Sequence, residues 1–137
     1  MDTTNDTTPK KRLLIVDDEL TAAQLLKLSL EQTGPFERMV ENQSTRARAK
    51  AREFQPDLIV LDVCMPYKTG DELAAELRRD PALRNVPVIF LTSIVSGKEA
   101  GGQPMRSGGY TFLAKPVNVA KLLEVIGQLL AAPAPAR

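Results

Sequence analysis

Two runs of branched apolar residues end on acids: Leu13-Leu14-Ile15-Val16 leads into Asp17-Asp18, and Leu58-Ile59-Val60-Leu61 leads into Asp62. Apolar runs without polar alternation predict strands covered on both faces, as in a parallel sheet with helices on either side. The first strand is predicted over about 12–16. A further apolar strand, over 86–91, contains Val88-Ile89-Phe90-Leu91 and ends at Thr92-Ser93, and a fifth covers Tyr110 to Ala114. Phe36 to Glu41 mixes polarities and therefore predicts a short strand at the sheet edge.

Helical patterns fill the intervals. Asp18 can cap a helix reaching about Thr33, with Glu19 favourable in its first turn; Leu20, Ala23, Leu26 (or Leu25), Leu28 and Leu30 supply an apolar face, and Gly34-Pro35 ends it. Ser44 can cap a second helix, 45–54, with Ala47, Ala51 and Phe54 inward and Pro56 closing it. Thr69 and Glu72 have capping-box spacing for a third, carrying Leu73, Ala74 and Leu77 as far as Arg79 before Asp80-Pro81. Asn118 caps a last helix with a stripe of Val119, Leu122, Leu123, Ile126, Leu129 and Leu130. Glycines 97, 101, 102, 108 and 109, with Pro104, predict that any helix over 94–109 is short, broken or mobile. Alternation of strand and helix with short loops predicts an α/β chain built on a parallel sheet.

At 137 residues the chain has the length of one domain, predicted over 11–131, with a polar disordered lead-in over 1–10 and an Ala/Pro-rich disordered tail over 132–137. A net charge of +1 gives no global field for nucleic acid or an anionic membrane. The basic group Arg46, Arg48, Lys50 and Arg52 interleaves with alanine and reads as the wet face of a helix. No apolar run approaches the roughly 20 residues of a membrane span, and the first nine residues lack a signal peptide's apolar core. A single cysteine makes no internal disulfide, which fits a reducing cytosol. There is no histidine, so no phosphohistidine forms on this chain.

Asp17, Asp18 and Asp62 stand at strand ends, where open α/β sheets bind ligands. Singly, each reads as a cap or a surface acid. Gathered together they repel one another unless a cation joins them, and oxygen-only ligands suit Mg²⁺. Aspartate can also act as a nucleophile and form an aspartyl phosphate. Lys115 could pair a carboxylate and later a phosphoryl oxygen, and the Thr92 hydroxyl could bond the same group. Taken alone, these two read as a solvated lysine and an ordinary strand terminus.

Leu14-Ile15-Val16-Asp17-Asp18-Glu19, Asp62-Val63-Cys64-Met65-Pro66, Thr92-Ser93 and Phe112-Leu113-Ala114-Lys115-Pro116 together resemble the receiver domain of bacterial two-component response regulators, over about residues 11–131. The resemblance implies a flavodoxin-like (βα)5 fold, doubly wound, with five parallel strands in the order 2-1-3-4-5 and here an irregular fourth helix. It implies Asp62 as phosphoacceptor and Asp17, Asp18 and Asp62 as Mg²⁺ ligands, with the backbone carbonyl of Cys64 as another. Thr92 and Lys115 are implied to contact the phosphoryl group, with Lys115-Pro116 cis. Thr92 and the aromatic Phe112 are implied to be the switch pair, although Phe112 lacks a tyrosine hydroxyl and also reads as plain core.

The donor implied is a histidine kinase or a histidine phosphotransfer protein. The output implied is docking of a cytoplasmic monomer or weak dimer, with no further domain, onto an unidentified protein target. The irregular fourth helix puts dimerisation through the usual signalling face in question. Cys64 reads as a small apolar filler, with redox sensing as the alternative. Two other functions compete. A haloacid-dehalogenase-like phosphatase also uses an aspartyl nucleophile and Mg²⁺, but its pattern needs a second Asp where Cys64 stands, so the chain is read as a phosphoacceptor and not an enzyme with turnover. A receiver-like interaction module that never takes phosphate is disfavoured by the complete set of acids, Thr92 and Lys115.

Overall fold

Every residue of Leu58–Asp62 is buried, and this strand (β3) lies at the centre of the sheet. The structure is a computed structural model and describes residues 11–31, 36–92, 105–107 and 109–131. β3 pairs in parallel with Lys11–Val16 (β1) on one side and Val88–Thr92 (β4) on the other. Phe36–Glu41 (β2) flanks β1, and Tyr110–Ala114 (β6) flanks β4, both parallel. The five parallel strands thus follow the order β2-β1-β3-β4-β6, which is 2-1-3-4-5 when the parallel strands alone are counted. The mixed polarity of β2 matches its place at one edge.

At the other edge Met105–Ser107 (β5) pairs antiparallel with β6, a strand the glycine-rich pattern did not predict. Gly109, at φ 85°, makes the turn between them, a conformation glycine adopts without steric penalty. The remainder of the 94–109 expectation lies outside the described residues, as do Ser93, the Gly34-Pro35 stop, the 1–10 lead-in and the 132–137 tail.

Helices cover both faces. Leu20–Glu31 (α1) and Val119–Ala131 (α4) pack Ala23, Leu26, Leu30, Leu122, Val125 and Ile126 against Leu13, Ile15, Leu58, Val60, Ile89, Leu91 and Leu113. Ala47–Phe54 (α2) and Gly70–Arg78 (α3) cover the alternate residues, Leu14, Val16, Ile59, Leu61, Val88 and Phe90. Period-2 alternation within fully buried strands makes this doubly wound arrangement possible.

Local expectations fared unevenly. The Thr69 capping box is present: Thr69 N–H donates to Glu72 Oε1 at 2.9 Å and Glu72 N–H to Thr69 Oγ1 at 3.4 Å. Asn118 caps α4 through a 3.0 Å bond from Lys121 N–H. Asp18 does not cap α1. Glu19 occupies that position, its carboxylate accepting from Ala22 N–H at 3.4 Å, while Asp17 accepts from Glu19 N–H at 2.9 Å. In α1, Leu20 and Leu28 are 46% and 55% exposed with Leu25 beside them, and Leu26 is the inward residue. Ser44 opens a 3-10 turn, Ser44–Arg46, and its hydroxyl donates to the Pro66 carbonyl at 3.0 Å instead of capping α2. α2 ends where Gln55 turns left-handed, at φ 53°, just before Pro56. β4 begins at Val88, two residues later than predicted. The basic face of α2 is not simply wet, because Arg48 and Arg52 reach the buried carboxylate of Asp80 at 3.1 and 3.6 Å.

Candidate functional site

Strand register brings the candidate residues to one end of the sheet. Val16 lies beside Leu61, so Asp17 and Asp62 end neighbouring strands. Asp62 pairs with Leu91, and Thr92 with Ala114, which sets Thr92 and Lys115 in the next two rows. The edge is stitched by Val63 N–H to Leu91 O at 3.1 Å, Lys115 N–H to Thr92 O at 2.9 Å and Asp17 N–H to Glu41 O at 3.2 Å. By alternation, Asp17, Asp62 and Lys115 follow the residues that face α1 and α4, whereas Thr92 and Phe112 follow those that face α2 and α3.

Lys115 Nζ stands 3.2 Å from Asp62 Oδ1 and 3.8 Å from Asp17 Oδ2. Carboxylate oxygens of Asp17, Asp18 and Asp62 all lie within 4.8 Å of one another. Asp17 and Asp62 are buried, at 5% and 6% exposure, while Asp18 is open to solvent. Burial pushes the Asp17 carboxyl up to about 6; the Asp62 charge adds to this, against the Glu19 N–H and Lys115, which pull it down. One ammonium therefore does not fully offset two buried carboxylates and a third beside them. An all-oxygen donor set with one open side is what Mg²⁺ accepts, so the acidic cluster is compatible with that ion.

The loop after β3 is held from below. Gly70 N–H donates to Val63 O at 2.8 Å, and a Cβ on Gly70 would lie 2.5 Å from the Asp62 carbonyl oxygen and 2.8 Å from Val63 Cα. Only glycine lets α3 start this close to Asp62. Sequence reasoning did not single out Gly70; the available signal was a glycine directly after a helix-capping threonine. Cys64 is exposed, so it fills no core space, and the filler reading is corrected. The Lys115-Pro116 bond is cis, as the resemblance implied.

Thr92 is buried at the end of β4. Phe112 lies two residues back on β6, stacked on Phe90 with ring centroids 4.9 Å apart, and Phe90 meets Tyr110 edge-on at 5.1 Å. Phe112 is half-buried within the aromatic cluster and pairs with Phe90, two residues before Thr92. Among the described residues no helix is long and apolar enough to cross a membrane.

Comparison with known proteins agrees with this geometry. The chain is 32% identical over 124 residues to the polar-differentiation response regulator DivK of Brucella anthropi, covering 89% of this chain and 97% of that protein. It is 33% identical over 114 residues to the phosphate regulon transcriptional regulatory protein PhoB of Pseudomonas aeruginosa, covering 82% of this chain but 48% of PhoB. It spans about half the length of PhoB and of the curated relatives RpaA of Synechocystis and ycf29 of Pyropia yezoensis. A response regulator structure from Chloroflexus aurantiacus superposes with a TM-score of 0.75 at 28% identity, over 90% of this chain and 100% of that one. The chemotaxis protein CheY4 of Vibrio cholerae superposes with a TM-score of 0.74 at 28% identity, over 88% and 99%. Residues 13–127 match the response regulator receiver domain, and the chain belongs to that family of two-component signalling modules.

Proposed function

We propose that the chain is a phosphorylation-controlled switch that accepts a phosphoryl group on Asp62 and signals by docking onto another protein. The observation that carries this reading is the Asp62 carboxylate, buried at the end of the central strand, 3.2 Å from the Lys115 ammonium and clustered with Asp17 and Asp18. With no histidine in the chain, the phosphoryl group comes from another molecule, a histidine kinase or histidine phosphotransfer protein.

Asp62 attacks the phosphorus as the bond from phosphorus to the donor nitrogen breaks. Lys115 neutralises charge on the moving oxygens, and the fixed strand ends position the nucleophile. Asp17, Asp18 and Asp62, with the Cys64 carbonyl, would hold Mg²⁺, which supplies charge neutralisation for an anionic donor entering an acidic pocket. Thr92 then bonds a phosphoryl oxygen, and a shift of Phe112 within its aromatic stack carries the change to the surface. The chain is an acceptor and not an enzyme with turnover, since an exposed cysteine stands two residues after Asp62 where a phosphatase of the haloacid-dehalogenase type needs an acid.

The test is intact mass after incubation with acetyl phosphate and Mg²⁺. Wild type gains one phosphoryl group and Asp62→Asn gains none. An unmodified wild type would leave an interaction module with a receiver fold, and sustained hydrolysis of phosphate esters would favour a phosphatase.

A further inference from the structure

A cavity of about 320 Å³ opens beside Asp18, walled by Asn42, Gln43, Ser44, Thr45, Pro66 and Tyr67. Asp18 belongs to the carboxylate cluster around Asp62, so this cavity adjoins the phosphoacceptor site. Its outer wall is unusual. Tyr67 sits at φ 71° and is 95% exposed. The Lys68 N–H donates to the Pro66 carbonyl at 2.7 Å, closing a γ-turn centred on Tyr67 in the rarer, strained hand.

The turn is pinned on both sides. The Pro66 carbonyl also accepts from Ser44 Oγ at 3.0 Å, and Lys68 Nζ grips the Glu76 carboxylate at 2.8 and 2.9 Å. A bulky residue at positive φ is disfavoured where glycine would suit, and a ring this exposed returns almost nothing to the core. The use of the ring therefore lies outside the fold, and it walls a cavity that reaches Asp18 of the carboxylate cluster.

We infer that Tyr67 and the polar cavity beside Asp18 form a subsite for the leaving group of the phosphodonor, with the Tyr67 ring packing against an imidazole ring. This rests on the reading of Asp62 as phosphoacceptor. In-line transfer puts the leaving group beyond the phosphorus, on the outer side of the carboxylates. Stacked or edge-on contact suits two aromatic rings, and Asn42, Gln43 and Thr45 offer polar groups to the imidazole N–H. During the step an Asp62 oxygen bonds to phosphorus and the P–N bond breaks. Its electron pair goes to the ring nitrogen, and the imidazole, already protonated on its other nitrogen, leaves neutral. Acetate, the leaving group of acetyl phosphate, has no ring to place there.

The experiment measures initial labelling rates by intact mass with N-phosphoimidazole and with acetyl phosphate, both with Mg²⁺. The proteins are wild type, Tyr67→Phe, Tyr67→Ala and Tyr67→Gly; the glycine variant accepts the positive φ and guards against misfolding of the alanine one. The ratio of the phosphoimidazole rate to the acetyl phosphate rate falls about 3- to 10-fold in Tyr67→Ala and Tyr67→Gly, the value of one ring contact. Tyr67→Phe keeps the wild-type ratio. An unchanged ratio in the alanine and glycine variants overturns the inference, as does an equal fall in Tyr67→Phe. A wild type labelled by neither donor defeats the phosphoacceptor reading itself, a result distinct from a wild type labelled by both with a ratio indifferent to residue 67.

Discussion

Replacing Gly70 by alanine tests how the fold aims Asp62. The new Cβ would sit 2.5 Å from the Asp62 carbonyl oxygen and 2.8 Å from Val63 Cα, both backbone atoms that cannot swing aside. The start of α3 and the end of β3 must separate by about half an ångström to reach 3.0 Å, and by about 0.9 Å to reach an ordinary contact of 3.4 Å. Crowding of this kind costs about 1–3 kcal/mol, offset by less than about 1 kcal/mol from the better helix propensity of alanine. We expect a net loss of about 1–2 kcal/mol in urea unfolding. The functional effect is larger. A displacement near 1 Å of a positioned nucleophile can lower a rate about 100-fold, so labelling of Asp62 by acetyl phosphate should slow by about 10- to 100-fold. A Gly70→Ala protein with wild-type stability and a wild-type labelling rate would refute the close-approach reasoning. Lost stability with unchanged labelling would mean that α3 yields while Asp62 stays in place.

Lys115→Met removes the ammonium held between Asp62 and Asp17 and leaves two buried carboxylates facing each other; chemical unfolding without metal at pH 7 should register a loss of about 1–3 kcal/mol, between the surface and buried limits for such pairs. Asp80 is the second buried acid to examine. The Ala82 N–H, with Arg48 and Arg52, holds its carboxyl below the usual 3.8. A depressed carboxyl pKa means that this contribution is complete above the unfolded value and is lost as the pH falls through the folded one. Acid unfolding of Asp80→Asn should therefore show a shallower decline below pH 4 than wild type, and a parallel decline would remove Asp80 from the account. In α1, Leu26→Ala should cost about 2–4 kcal/mol and Leu28→Ala under about 1 kcal/mol; equal losses in thermal or urea melts would contradict the helix rotation described above.

Patterns that act within a few residues were legible from the chain alone. The non-alternating runs 13–16 and 58–61 set both central strands, because only a residue covered on each side can be apolar at every step. The Thr69–Glu72 box and the Asn118 cap were legible for the same reason, since donor and acceptor lie three residues apart. Asp17, Asp18, Asp62 and Lys115 were named from their places at strand ends and from the resemblance to receiver domains, although no local rule measures the distance between them.

What tertiary structure decided is whatever depends on groups far apart in the chain. The leucines of α1 point in too many directions for periodicity to choose a face, and only packing against β1 and β3 selects Leu26 over Leu28. Ser44 could have capped a helix, but its hydroxyl goes to Pro66, 22 residues away. Arg48 and Arg52 look like solvated charges until the turn after α3 buries Asp80 beneath them. Parallel register, which fixes Asp17 next to Asp62 and brings Lys115 within 3.2 Å, is a property of the assembled sheet. The sequence alone therefore determined the five parallel strands, the buried character of the central ones and the kinds of group at their ends. The distances that turn those groups into one site arise only when β1, β3, β4 and β6 pair, because hydrogen-bond register sets the position of each strand end relative to its neighbours.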